Sequence, residues 1–253
     1  NLQWDVFLHD LQTGTTTRVS LAPGGGQMDI PSDNPAISAD GRWVAFQSGS
    51  PLGTTPVLLY DRETGTTTLV SVGPGGIAEG GAFPSLSADG RFVGFSSRSG
   101  TLVAGDTNGV EDVFVFDRQT SLVTRVSVGS GGVQGNSYSW SLASFSADGR
   151  WVTFASMASN LVPDDTNGDW DVFVHDRQTG TTTRVSVGPD GVEANEGSGG
   201  GAISADGRSV AFTSRASNLV AGDTNGHEDV FVHDRTTGAT TRRSRRPRPR
   251  IVL

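Results

Sequence analysis

The pentapeptide SADGR occurs four times, at 38–42, 87–91, 146–150 and 204–208, at intervals of 49, 59 and 58 residues. A chain that repeats itself at this period must fold as a series of similar units, each burying part of its surface on the next. After each copy comes a short apolar run, WVAF, FVGF, WVTF or SVAF. A loop follows, then a VFV-type run ending in Asp, then RQTGTTTRVSV or a variant.

Each unit therefore reads as four strands. Strand A runs into SADG, whose Asp and Gly suit a tight turn. Strand B is the RWVAF segment, C is DVFVHD, and D is TTTRVSV. RQTG joins C to D, and its Gly can take a positive φ. Val, Phe, Trp and Thr dominate, as strands prefer, and no segment holds a helical period. WVAF and VFV are continuously apolar, so these strands are covered on both faces. Such a unit suits a β-propeller blade held between two neighbours. A β-sandwich is the competing architecture, but it would not repeat its own sequence.

The motif SADGRWVAF…DVFVHDRQTGTTTRVSV resembles the TolB-type, WD40-like (PD40) propeller repeat over residues 1–241. The resemblance implies an all-β propeller of four-stranded antiparallel blades: four complete repeats at about 34–72, 83–128, 142–187 and 200–243, after a half blade at 1–20. It also implies an exported bacterial protein, periplasmic, cell-surface or secreted. Such a propeller serves as a non-enzymatic scaffold for a protein or saccharide, or as the non-catalytic portion of a hydrolase or lyase. NLQWDVFLHD at 1–10 aligns with NGDWDVFVHD at 167–176, so the first unit holds strands C and D alone. We read the chain as a fragment of a larger propeller. The segment 242–253 is read as an irregular basic tail, either a shifted reading frame or an anchor for an anionic surface.

Composition narrows the function classes. The 253 residues contain no Cys, which removes disulfides, thiolate catalysis and cysteine zinc sites. All 19 basic residues are Arg, and six of them lie in 242–250. Residues 1–241 thus carry 13 Arg against 27 acidic residues, a net charge of −14. That body repels nucleic acid and attracts cations. No run of eighteen apolar residues exists to span a membrane.

In a propeller the A–B and C–D turns share one face, and the longer B–C and D–A loops share the other. A ligand is expected on the long-loop face. Three B–C loops carry the pattern DTNGxxD: Asp106, Asn108 and Asp112; Asp165, Asn167, Asp169 and Asp171; Asp223, Asn225 and Asp229. Counting an EF-hand from Asp223 puts Asp234 at position 12. But strand C rises ~3.3 Å per residue, which carries Asp234 roughly 17 Å beyond Asp229. The Gly is also at position 4 rather than 6. The loop is closer to the calcium loops of integrin-type propellers, lacking two residues of them. Two readings stay open: structural calcium held by these oxygens, a carbonyl near His227 and water, or turns capped by Asp and Asn alone. Asp169 makes 165–171 the strongest calcium candidate, while the first complete unit has no acid in its SGSPLGTTPV loop.

His9, His175 and His233 share one repeat position with Tyr60 and Phe116, so packing is their expected role. His227 lies in a loop with no nucleophile placed beside it. Asp10, Asp61, Asp117, Asp176 and Asp234 are read as caps of the C–D turn. Ser38 and Asp40, with their equivalents, resemble the sialidase Asp-box, a structural turn. Arg18, Arg125 and Arg184 are expected to charge the outer edge of strand D against edge pairing. Trp140, Tyr138 and Asn136 are contact candidates, with burial of Trp140 against the next blade the favoured reading.

Overall fold

The computed structural model describes residues 2–49 and 55–244, with backbone alone for 141–143. A hairpin, β1 (Phe7–His9) and β2 (Thr16–Arg18), is followed by four antiparallel sheets of four strands each. Blade one holds β3 (Ser32–Ile37), β4 (Trp43–Ser48), β5 (Val57–Asp61) and β6 (Thr66–Leu69). Blade two holds β7 (Ala82–Leu86), β8 (Phe92–Ser97), β9 (Asp112–Asp117) and β10 (Leu122–Arg125). Blade three holds β11 (Ser139–Phe145), β12 (Trp151–Ser156), β13 (Asp171–Asp176) and β14 (Thr181–Arg184). Blade four holds β15 (Ser198–Ile203), β16 (Ser209–Ser214), β17 (Asp229–Asp234) and β18 (Ala239–Arg242). Within each sheet the strands pair in chain order, and β3, β7, β11 and β15 adjoin one another as the inner strands. Among the described residues the helical content is one 3₁₀ turn, Pro189–Gly191. The fold is a partial β-propeller. Of the segment 242–253 read as an irregular tail, Arg242 instead ends β18, paired with Phe231, and residues 245–253 lie outside the described residues.

The core lies between blades rather than within them. Phe92, Val113 and Val115 of blade two pack on Phe145, Val152 and Phe154 of blade three, and equivalent clusters join each adjacent pair. The hairpin joins blade one through Val6, Val19, Val44 and Phe46. Cross-strand phenylalanines repeat in register: Phe95 on Phe114, Phe154 on Phe173 and Phe212 on Phe231, at 5.8, 5.6 and 5.7 Å between centroids. This double coverage is why strands B and C are apolar on both faces.

The inner strands begin one to three residues before the starts read from the sequence. Each contains a register shift after its first or second residue. In blades one, two and four that bulge holds a positive φ, at Asn34 (49°), Phe83 (52°) and Gly200 (59°). A bulge breaks the alternation that marks a strand in sequence.

The outer edge also departs from expectation. Thr67 and Thr182 are buried. The Thr182 N–H donates to Ser130 Oγ at 3.1 Å, and its hydroxyl donates to the Val128 carbonyl. The D–A loop of blade two therefore lies along the outer strand of blade three and protects it, so the edge does not depend on charge.

Candidate binding face

The DTNGxxD loops form one repeated arrangement. In each, the Asn side-chain oxygen accepts a backbone N–H two residues on, at Val110 (3.2 Å), Asp169 (2.8 Å) and His227 (2.7 Å). Its amide nitrogen donates to the last Asp of the motif: Asn108 to Asp112, Asn167 to Asp171 and Asn225 to Asp229, at 2.9, 3.1 and 2.6 Å. The other oxygen of that Asp accepts a hydroxyl from strand D or just after it, Ser127, Ser186 or Ser244. The Asn oxygen is thus committed to the turn instead of turning toward the carboxylates as a metal ligand must.

A guanidinium occupies the centre of each loop. Arg125 Nη1 lies 3.2 Å from Asp106 and 3.6 Å from Asp112. Arg184 Nη1 lies 3.7 Å from Asp165 and 3.4 Å from Asp171, and it also pairs with Glu193. Arg242 Nη1 lies 2.7 Å from Asp223 and 3.3 Å from Asp229. Arg18 reaches Asp5 in the same way at 3.6 Å. Arg18, Arg125 and Arg184, expected on the outer edge, instead fold inward. The Arg184 side chain is only 8% exposed.

Asp169 does not join the cluster. Its Oδ1 accepts the Trp170 N–H at 2.8 Å. Glu193, from the following D–A loop and absent from the expected set, takes that place. Oxygens of Asp165, Asp171 and Glu193 lie within 4.8 Å of one another, a grouping that could hold a cation. Burial, and then the Asp171 charge, push Asp165 up to about 6. Burial raises Asp171 and Asp112 as well. Glu193 lies too far along the chain for a local motif to show it.

The short-turn face is a structural lattice. The SADGR Ser donates to the Asp and accepts the N–H of the residue after the Arg; in the first copy Ser38 Oγ lies 2.5 Å from Asp40 and 2.9 Å from the Trp43 nitrogen. The Arg grips the Asp that ends strand C through Nε and Nη2: Arg42 to Asp61, Arg91 to Asp117, Arg150 to Asp176 and Arg208 to Asp234. Those Asp also cap the C–D turn, as Asp176 Oδ1 does with the Gln178 N–H at 2.9 Å. The guanidinium bonds hold Asp61, Asp117, Asp176 and Asp234 below the usual carboxylate range. Asp10 falls to about 2, first through the Thr13 N–H and then through Arg62. His9, His175 and His233 each place Nδ1 beside a strand D threonine, at 2.8, 2.9 and 3.0 Å. Burial lowers the pKa of His175 and His233.

The long-loop end of the inner strands is different. Trp140 is 49% exposed and Tyr138 is 41% exposed, so Trp140 is not buried against the next blade. The Trp140 ring meets Phe83 edge-on at 5.7 Å and tilts over Trp170 at 6.2 Å. With Phe154, Ala155 and Ser198–Gly201, these rings enclose an open apolar cleft of about 420 Å³. Across Trp140 and Trp170 lies a smaller cavity of about 130 Å³, lined by Glu111, Tyr138 and Ser139. Asn136 faces neither; it bonds Ser159 and Asn160 and ties a D–A loop to a B–C loop.

Comparison with known proteins places the fold. The chain matches TolB from Acinetobacter baumannii with a TM-score of 0.56 at 22% identity, over 94% of this chain and 48% of that one. It matches the β-propeller domain of the Trilobed protease from Pyrococcus furiosus at 0.53 and 11%, over 85% and 57%. A prolyl endopeptidase structure matches at 0.56 and 15%, over 94% and 32%. The chain thus spans about half of the TolB structure and a third of the peptidase, and its fold is that of a TolB-like propeller. No family model and no curated protein matches the sequence.

Proposed function

We propose that this chain is a non-catalytic propeller portion of an exported protein and acts as a binding platform through its long-loop face. The observation that carries this reading is the contrast between the two faces. On the short-turn face the Asp, Arg and His side chains described above are engaged in bonds that join strands B, C and D within a blade. On the long-loop face half-exposed aromatics surround an open cleft. A rigid scaffold that leaves aromatic rings in water at its loops is built to meet a partner.

A photoreactive benzoylphenylalanine at Val192, on an exposed D–A loop, should form adducts with the partner in extracts of the source organism. The same group at Gln119, on a short C–D turn, should form none. Adducts confined to Gln119 would overturn the choice of face.

The similarity to peptidase propellers favours a second reading, in which the parent protein carries a hydrolase domain. A fluorophosphonate probe applied to the full-length product labels a serine nucleophile in that case alone. Structural calcium is a separate proposal, supported by the clustering of Asp165, Asp171 and Glu193, and it must contend with Arg184 for the same oxygens.

A further inference from the structure

The aromatic cleft has a specificity of its own. We propose that it takes a basic side chain, arginine or lysine, presented by an extended segment of a partner protein. The inference rests on the platform reading and names the chemistry of the ligand.

Four observations lead to it. First, Phe83 holds φ at 52° at the bulge of β7, where the equivalent residues Asn34 and Gly200 tolerate that conformation. A bulky residue there is strained, and such strain gathers at ligand sites. Here it brings the Phe83 ring to 5.7 Å from Trp140, on the wall of the cleft.

Second, the cleft and the smaller cavity share Trp140 and Trp170. One side is apolar and the other holds the Glu111 carboxylate, which accepts the Ser96 hydroxyl at 2.6 Å. A long basic side chain has the same division, an apolar stem and a cationic head. Its head is attracted both to indole faces and to Glu111.

Third, the face is acidic. The B–C and D–A loops carry twelve acidic residues and two arginines, whereas the A–B and C–D turns carry six acidic residues and eight arginines. An approaching cation is drawn to the long-loop face.

Fourth, the molecule already uses this contact. Arg118 lies 3.8 Å from the Trp43 ring centroid, Arg177 3.8 Å from Phe92, and Arg235 5.0 Å from Trp151. At the rim of the smaller cavity, Arg98 covers Tyr138 at 5.6 Å.

A saccharide fits less well. It needs several fixed polar partners. The one hydroxyl among the side chains of the larger cleft, on Ser198, is bonded to Ser214 at 2.9 Å.

The test uses NMR of the tryptophan indole N–H groups in the full chain. The probes are acetylated pentapeptides, Gly-Gly-Arg-Gly-Gly and Gly-Gly-Glu-Gly-Gly, and chitotetraose. The Arg peptide should shift the Trp140 and Trp170 resonances in a saturable way. Raising salt from about 50 to about 500 mM should weaken the effect. Glu111→Gln should weaken binding about fivefold or more. Arg98→Ala should tighten it, because a competing cation leaves the rim. Trp140→Ala should abolish the response; if that variant fails to fold, the Glu111→Gln and Arg98→Ala variants decide. Equal binding of the Arg peptide by wild type and Glu111→Gln overturns the proposal. So does a response to the Glu peptide or chitotetraose alone, which would leave the platform reading standing. Silence of all three probes at about 10 mM also overturns it, while the platform reading is judged by cross-linking over the whole face.

Discussion

At the residue scale, SADGR and the residue after it divide the work of one turn among six residues. Ser and Asp close the turn on each other, Arg reaches strand C, and in three of the four copies the residue that follows is an aromatic packed on the next blade. Trp43 lies against Gly90 of the next blade, Phe92 against Gly149, and Trp151 against Gly207. An added Cβ would sit 2.3 Å from Trp43, 2.2 Å from Phe92 and 2.0 Å from Trp151. Gly41 has a similar φ of 70° but nothing within 4 Å, since no aromatic of a preceding A–B hairpin meets it among the described residues. The four glycines therefore separate two costs. Gly41→Ala should lose only the left-handed strain, about 1–2 kcal/mol. Gly207→Ala, at φ 71°, should lose that plus about 1–3 kcal/mol of overpacking. Urea unfolding checks the order; equal losses would show that the aromatic yields freely.

At the scale of elements, a B–C loop, a strand D and a D–A loop meet around one guanidinium. Arg184 is the cation among Asp165, Asp171 and Glu193, so its removal decides what the carboxylates accept. In Arg184→Met, calcium at about 10 mM should raise Tm, because the oxygens then lack a counter-ion. The calcium proposal adds a smaller rise in the wild type, lost in Asp171→Ala. No shift in either protein would leave these loops as turns alone. The same cluster fixes a pH dependence. Asp165 titrates near 6 in the folded chain, above its ordinary 3.8. The folded state therefore holds a proton there that the unfolded state has released, and stability is lost as pH rises from about 4 to about 6. Relative to Asp165→Asn, the wild type should weaken across that window; a constant difference would show that Asp165 is not perturbed. His175 and His233 act in the opposite sense, losing stability as pH falls below 6.5.

At the scale of the molecule, each blade is held by its neighbours, so stability is close to a sum of blade and interface contributions. Strands β5, β9 and β13 are buried throughout, apart from the half-buried last residue of β9. Strand β17 alternates, and Val230 is 41% exposed, since among the described residues one face of blade four has no blade beside it. The β1–β2 hairpin is held from one side and leaves Phe7 60% exposed. Hydrogen exchange should therefore be fastest in β1 and β2, slower in blade four, and slowest in β8, β9, β12 and β13. Uniform protection along the chain would contradict this gradient.

How much could be read beforehand follows from the range of each interaction. The repeat, the order of strands, the turn glycines and the propeller were legible because they depend on contacts within about 60 residues that recur four times. Packing of His175 and His233 was legible because Tyr60 and Phe116 occupy the same position, whereas His9 at that position is exposed on the hairpin. The partners of charge were not. DTNGxxD looks the same whether its carboxylates face a metal or a guanidinium, and Arg184 stands thirteen residues beyond Asp171, on another strand. Glu193 and Asp165 likewise meet only because a D–A loop folds back over a B–C loop. Trp140 stands between Ser139 and Ser141, so its neighbours do not say whether it packs or is exposed; in the fold it faces the cleft with Phe83 and Trp170. Sequence determined which backbone is repeated; the tertiary structure decided which side chains share a space, because that depends on how blades stack and not on spacing along one chain.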